Sequence, residues 1–416
     1  MKVRNWLSRT VLVLALIAFL DVTVWLNLRV HTEQQFAFLA GSFLHGNLAF
    51  SEPPGGTWAD TTPHQDKHYW PLGPFPTVLL MPFQFAASFG GGFFYQGYLQ
   101  IVLVGLLLLL VFGVSRRTGF DAEDAAYLAF GFAFSTAFLG VAFWPWSWYF
   151  SHVITCVLVF AAIFEMCGKR RGLVIGTLFS LCLATRATAV LGLIWFVGEL
   201  FRENRPMKDK LWSLAAAVVP CIAVTGLLFL YNYARFGNIF DQGYAGQIVP
   251  DNLARARNIG LFSIHHLPAN LHALLLAGPV LIAGDNQSFG LTFPFVAANP
   301  WGMSLLVTSP YFFLLAAVDY RDTTSRWLLL TAIIIALPIL FYYGIGFRQF
   351  GYRYSLDFLP LLYYLLLRDY WQSRKRLTAE FKVAIILCAI CNLYLFAGLY
   401  LWNLSWNVAA VNPIIL

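Results

Sequence analysis

Charge is what this sequence has least of. Asp, Glu, Lys and Arg make up 11% of its 416 residues, where an ordinary soluble domain carries about 25%. With 59% hydrophobic residues, a soluble fold would have to expose apolar patches that soluble monomers rarely tolerate. Cysteines arranged as a disulfide framework are also missing. Cys156, Cys167, Cys182, Cys221, Cys388 and Cys391 all lie in or beside apolar runs, where Cys acts as a small hydrophobe. Cys388 and Cys391 form a C-x-x-C inside an apolar helix with no His nearby, which argues against a metal or redox role. Nucleotide loops are absent too: no cytoplasmic segment holds a Walker loop or a G-x-G-x-x-G helix start. Internal repeats are lacking, which disfavours transporters built from paired halves.

What is present is membrane-spanning length. Apolar runs fall at residues 10–29, 93–114, 125–143, 151–167, 211–231, 302–318, 327–346, 355–368 and 381–402, several long enough to cross about 30 Å of hydrocarbon. The 14 Trp and 19 Tyr suit membrane interfaces, where a ring meets lipid and a polar tip meets water. The run 172–201 has Arg186 near its middle and basic clusters on both flanks. One span would strand a cluster outside, and two full spans need about 40 residues. The sequence therefore predicts a short hairpin: 172–184 rises, 185–188 turn, and 189–201 return. Its tip should face a polar cavity, because non-helical backbone is tolerated at membrane depth only there or inside protein.

These readings give an all-α polytopic integral membrane protein of about eleven segments, built as a single transmembrane domain over 1–416. Residues 1–231 form the expected catalytic module and 232–416 the C-terminal helices. The N-terminus is expected in the cytoplasm and the C-terminus outside, because the cytoplasmic ends and loops then hold 19 of the 27 Lys and Arg, as the positive-inside rule asks. Topology does not explain the eight left outside: Arg29, Lys67, Arg186, Arg235, Arg255, Arg257, Arg348 and Arg353. The two long external segments, 30–92 and about 233–300, exceed simple connectors. Within the first, 34–44 and 75–88 read as amphipathic helices on the membrane surface.

Glu33 stands just past the first span. A carboxylate there is placed to take a proton from an acceptor hydroxyl; equally, Thr32 and Glu33 suit a helix N-terminus. His64, Asp66 and His68 have ligand-type side chains, but their spacing is no recognised metal signature, and a solvated loop is the favoured reading. Arg353 and Tyr352 suit a phosphate, since Arg offers a planar fork of donors; Asp357 lies one helical turn on, in reach of Arg353. Arg186 is a second candidate cation, because intramembrane charge by default marks a functional site. External carboxylates and cations without a nucleotide site call for an activated donor that arrives through the membrane, and a lipid-linked phosphate is the natural one.

The stretch Glu33-Gln-Gln-Phe-Ala-Phe-Leu-Ala-Gly-Ser-Phe-Leu-His45-Gly46, with Asp60, Lys67-His-Tyr-Trp-Pro-Leu-Gly-Pro74, the Arg186 hairpin and Gly351-Tyr-Arg-Tyr-Ser-Leu-Asp357-Phe-Leu-Pro360, resembles GT-C fold membrane glycosyltransferases. It is most similar to the bacterial relatives of protein O-mannosyltransferases and lipid A aminoarabinose transferases. Tyr231 to Gly237 and Asn299 to Gly302 also look like segments of uncharacterised members. The resemblance implies sugar transfer from a polyprenyl phosphate to an acceptor glycan, lipid or protein on the external (periplasmic) side of a cell inner membrane. It implies an acidic base in the first external loop. Glu33 matches by position, although the frequent Asp-Glu pair is absent because Thr32 precedes it; Asp60 is the reserve. Arg186 and Arg353, with Lys67, Tyr352 and His68 assisting, would bind the donor phosphate, no metal being required. Lack of the larger relatives' extra domain suggests a small or lipidic acceptor. The rival readings are a lipid or polysaccharide flippase without chemistry and a structural or assembly protein.

Overall fold

The computed structural model describes residues 2–283 and 290–402. It is dominated by helices: α1 Lys2–Arg29, α2 Gln35–Leu44, α3 Phe75–Ser88, α4 Gln96–Thr118, α5 Ala122–Phe134, α6 Phe138–Phe143, α7 Ser147–Met166, α8 Gly172–Leu183, α9 Leu193–Arg202, α10 Met207–Phe236, α11 Asp251–Ile259, α12 Leu267–Leu275, α13 Leu305–Thr308, α14 Thr323–Phe341, α15 Leu359–Arg374 and α16 Ala379–Tyr400. Among the described residues, six are long and apolar enough to cross a membrane: Trp6–Arg29 of α1, then α4, α7, α10, α14 and α16. Their surroundings differ. Within the most apolar stretch, 89% of the residues of α7 are buried and only 6% of those of α10, so α7 is central and α10 lies at the periphery. The C-terminal residues beyond Trp402, expected outside, fall beyond the described residues.

Local chemistry explains where expected spans break up. The run 125–143 divides into α5 and α6 at Ser135-Thr136. There, Thr136 donates back to the Phe132 carbonyl at 2.7 Å and Ser135 donates to Ile385 at 2.7 Å. The run 302–318 is not one helix. It is a strand, the short α13 and a 3-10 turn Pro310–Ala317, because Pro310 has no N–H to continue a ladder. Residues 353–357 form a 3-10 turn ahead of α15, whose first turn holds Pro360, the position a helix accepts best.

The segment 172–201 reverses direction. α8 ends at Leu183, a turn carries Arg186, a 3-10 turn spans Ala187–Gly192, and α9 returns. Arg170, before α8, pairs with Glu203, after α9, at 2.8 Å, so both feet of the hairpin stand at the same end of the bundle. Gly172 and Gly176 let α10 lie close against α8. A β-carbon at either would run into the Ser213 or Ala217 carbonyl, the close-approach device of membrane helix pairs.

The expected surface helices exist at 35–44 and 75–88, but their settings differ. α3 keeps Phe83 and Phe85 exposed, as a helix lying against lipid would. α2 is largely buried, with Phe36, Ala37, Leu39 and Ala40 fully covered. Between them, strands β1 Thr62–His64 and β2 Lys67–Tyr69 pair antiparallel, Thr62 opposite Tyr69. In the second long segment, β3 Val280–Ala283 pairs antiparallel with β4 Leu291–Ala297. β5 Trp301–Met303 and β6 Gln349–Gly351 pair in parallel, drawing the 299–303 and 345–353 segments together beside the N-terminal end of α7.

Candidate functional site

Glu33 is held by its backbone, and its carboxyl makes no hydrogen bond or ion pair among the described residues. Its φ of +53° is uncommon for a residue with a side chain. Such a conformation persists where the surroundings over-determine it, and three bonds do so here. The Glu33 carbonyl accepts from the Ser147 N–H and hydroxyl, each at 2.9 Å, and from the Gln96 amide at 3.3 Å. The start of α2 does not use the Glu33 carboxylate. Its cap residue is Gln34, which makes no side-chain cap bond, and the free Phe36 N–H donates to Ser147 Oγ at 3.3 Å.

The Glu33 side chain lines a cavity of about 370 Å³ shared with Asp60, Arg348, Arg353, Trp148 and Tyr149, within the range of small-molecule sites. Asp60 also has positive φ, +61°. Its carboxylate accepts from the Trp148 indole at 3.2 Å, while Gln247 donates to its carbonyl at 3.1 Å. Burial raises the Glu33 pKa to about 7 from the ordinary 4.5, with the nearby Asp60 carboxylate adding to the effect and Arg353 and Arg348 opposing it. Burial also raises Asp60, against the Trp148 bond and Arg353. A carboxyl that titrates near neutrality can both accept and release a proton.

In the same cavity, Arg353 is 7% exposed. It donates to Gln349 Oε1 at 3.1 Å and lies between the rings of Tyr149 and Tyr354, 5.3 and 5.1 Å from their centres. Its buried Nε has no partner among the described residues, and an orphaned donor of this kind is costly unless something fills the site. Gln349 organises the wall. Its amide donates to the Trp301 and Ile345 carbonyls at 2.7 and 2.6 Å. That packing needs Gly346, whose φ is +87° and whose missing β-carbon would collide with the Gln349 amide. Arg348 is presented by its backbone: Tyr149 and Tyr400 both donate to its carbonyl.

Three expected donor residues lie elsewhere. The Tyr352 hydroxyl donates to Asn270 Oδ1 at 2.8 Å and the ring is 1% exposed, so it packs the interior behind the wall. Lys67 is exposed on the first-loop hairpin. His68 stacks on Trp58 with ring centres 3.9 Å apart and bonds Thr61 at 2.9 Å, and burial lowers its pKa. None of the three lines the cavity. His64 meets Phe236 instead of His68. Among the described residues no three His, Cys, Asp or Glu side chains gather as a metal-binding group.

Arg186 also departs from expectation. It is not on the cavity wall. Its Nε donates to Asp357 at 2.5 Å, Thr188 donates to the other Asp357 oxygen at 2.5 Å, and His152 Nδ1 stands 3.5 Å away. Asp357 therefore does not pair with Arg353 one helical turn back, because residues 353–357 form a 3-10 turn and send the two side chains apart. Among the described residues, Arg186 meets the cavity lining at Tyr354, 5.5 Å from the centre of that ring.

The sequence reading passed over Tyr149, Trp148 and Gln247 as members of the wall. Arg348 had a signal, being one of the external cations that topology leaves unexplained. The others had none, since each reaches the cavity from an element far away in sequence.

No family model and no curated protein matches this chain. Its fold is similar to that of the apo Archaeoglobus fulgidus oligosaccharyltransferase, with a TM-score of 0.50 and 14% identity over 94% of this chain. The chain spans 55% of that protein's length; at this identity the likeness is one of fold.

Proposed function

We propose that this chain is a GT-C-type membrane glycosyltransferase that moves a sugar from a polyprenyl phosphate to an acceptor hydroxyl on the external side of a cell membrane. The observation that carries the reading is one cavity in which two carboxyls with raised proton affinity, Glu33 and Asp60, share space with Arg348 and Arg353. The fold likeness to an oligosaccharyltransferase and the first-loop and 351–360 motifs support it.

In this reading Glu33 takes the acceptor proton as the hydroxyl oxygen attacks the anomeric carbon. The bond from that carbon to the phosphate oxygen breaks on the far side, and the configuration inverts. Arg353, whose Nε is unpartnered, and Arg348 hold the departing phosphate. Stabilising charge as it develops is usually the largest catalytic term. Arg186 works behind the wall, with Asp357, as a support for Tyr354. An eleven-segment topology with both long loops external accompanies this proposal, and the shared foot of the hairpin supports it.

The test uses purified protein with a labelled polyprenyl-phosphate sugar. Glu33→Gln keeps the shape and removes the base, so transfer should fall about 10²–10⁴-fold with donor binding retained. Wild-type transfer by Glu33→Gln together with loss in Asp60→Asn would move the base to Asp60. Lipid translocation without any sugar transfer would turn the reading to a flippase.

A further inference from the structure

A second cavity, of about 320 Å³, lies at the opposite end of the bundle. The first cavity meets the start of α7 and the end of α14; this one meets the end of α7, at Met166 and Cys167, and the start of α14, at Thr324. The 20 residues of α7 separate the two by about 30 Å, the thickness of a hydrocarbon core. The second cavity therefore sits at the other membrane interface, the one richer in Lys and Arg.

Its wall joins three guanidiniums, of Arg117, Arg170 and Arg368, to the aromatic rings of Trp195, Tyr364 and Trp371. The carboxylates around it do not balance the cations. Arg368 pairs with Asp322, Arg202 with Glu199, and Arg170 shares Glu203 with Arg205. Glu165, paired with Arg171, also interacts with Arg117, so six arginines at this end meet four carboxylates, and Arg117 forms no direct ion pair among the described residues. Its guanidinium lies over the Phe164 ring, 3.4 Å from the centre, and donates to the Phe164 carbonyl. Its remaining N–H groups are open, since the side chain is exposed. A hollow with surplus positive charge, planar donor forks and an aromatic rim matches a phosphodiester whose acyl chains stay in the adjoining lipid.

We propose that this cavity binds the phosphate headgroup of an anionic glycerophospholipid at the interface opposite the catalytic cavity. The site shares no lining residue with that cavity, so it stands or falls separately from the transferase reading.

The test measures thermal unfolding of the full chain in neutral detergent, titrated with phosphatidylglycerol, phosphatidylcholine or inorganic phosphate. Phosphatidylglycerol should stabilise the wild type at concentrations where the other two do not. Arg117→Gln should weaken the apparent phosphatidylglycerol affinity about fivefold, Arg117→Lys should restore part of it, and Arg376→Gln, a charge change at the same end but outside the cavity lining, should leave it intact. Equal weakening by Arg376→Gln would reduce the effect to general surface charge and overturn the site. Protection by inorganic phosphate matching the lipid would overturn the lipid assignment. An unchanged lipid response in Arg117→Gln, with a wild-type unfolding temperature in phosphatidylcholine, would overturn both.

Discussion

Position 33 ties activity and stability together with opposite signs. A carboxyl held near 7 when folded, against 4.5 ordinarily, keeps its proton more tightly in the native state than in the unfolded one. Between these values the folded chain binds more protons, so this group's contribution to stability is full below about 4.5 and declines as pH rises through 7. Glu33→Gln should therefore raise the unfolding temperature at pH 8 and change it little at pH 4.5, while transfer collapses. Unfolding scans at both pH values check this. The base must be ionised, so kcat/KM should rise with pH along a limb centred near 7. Asp60→Asn removes the like charge and should move that limb down. In the same cavity, Arg353→Lys keeps the charge and loses the fork. It should raise the KM for the lipid-linked donor more than it alters acceptor saturation, in initial-rate measurements with each substrate varied.

At the scale of elements, the hairpin is fixed by what leans on its tip. Phe75 N–H donates to the Ala184 carbonyl at 3.0 Å, and a β-carbon at Gly73 would collide with that same carbonyl. Gly73→Val should cost about 1–3 kcal/mol through overpacking and lower transfer, because the first loop carries Asp60. Gly41→Ala, in α2 with open space where its β-carbon would go, should be tolerated or gain up to about 1 kcal/mol of helix propensity. Denaturation of both variants separates the two cases. In α1, Asp21 is exposed between Ile17 and Trp25, themselves exposed, well inside the apolar span. Asp21→Leu should favour membrane insertion of α1 by about 3 kcal/mol, read out by a glycosylation-based insertion assay.

The whole molecule is polarised. Polar loops, both long connecting segments and the Glu33 cavity gather at one end; the arginine-rich cavity lies at the other. Some of the cations that the expected topology leaves unexplained brace the end that holds the Glu33 cavity without lining it. Arg235 donates to the Trp70 carbonyl at 2.8 Å. Arg257 donates to the Gln247 carbonyl at 2.6 Å, and Gln247 in turn holds Asp60. In a cysteine-free background, Cys at position 255 should label from outside intact cells and Cys at position 376 only after permeabilisation. The reverse pattern would invert the proposed orientation.

Composition and periodicity alone determined that the chain is helical and membrane-embedded, because hydrophobic length and flanking charge are local properties. They also located the hairpin, since only a reversal leaves the basic clusters on both sides of 172–201 at one end, and the helices at 35–44 and 75–88. Glu33 and Arg353 were legible for the same reason, each being an ionisable group next to an apolar run; Asp60, in a polar loop, was named only as the reserve that the family resemblance implies. Tertiary structure decided which cations meet them. Arg348 faces the cavity and Arg186 does not. Tyr352 turns inward while its neighbours Arg353 and Tyr354 turn to the site. Those choices rest on 3-10 turns, positive-φ residues and strand pairings between segments some fifty residues apart, as Trp301 opposite Gln349. Side-chain direction in such irregular backbone follows from long-range packing, which no helical or strand period in the sequence encodes.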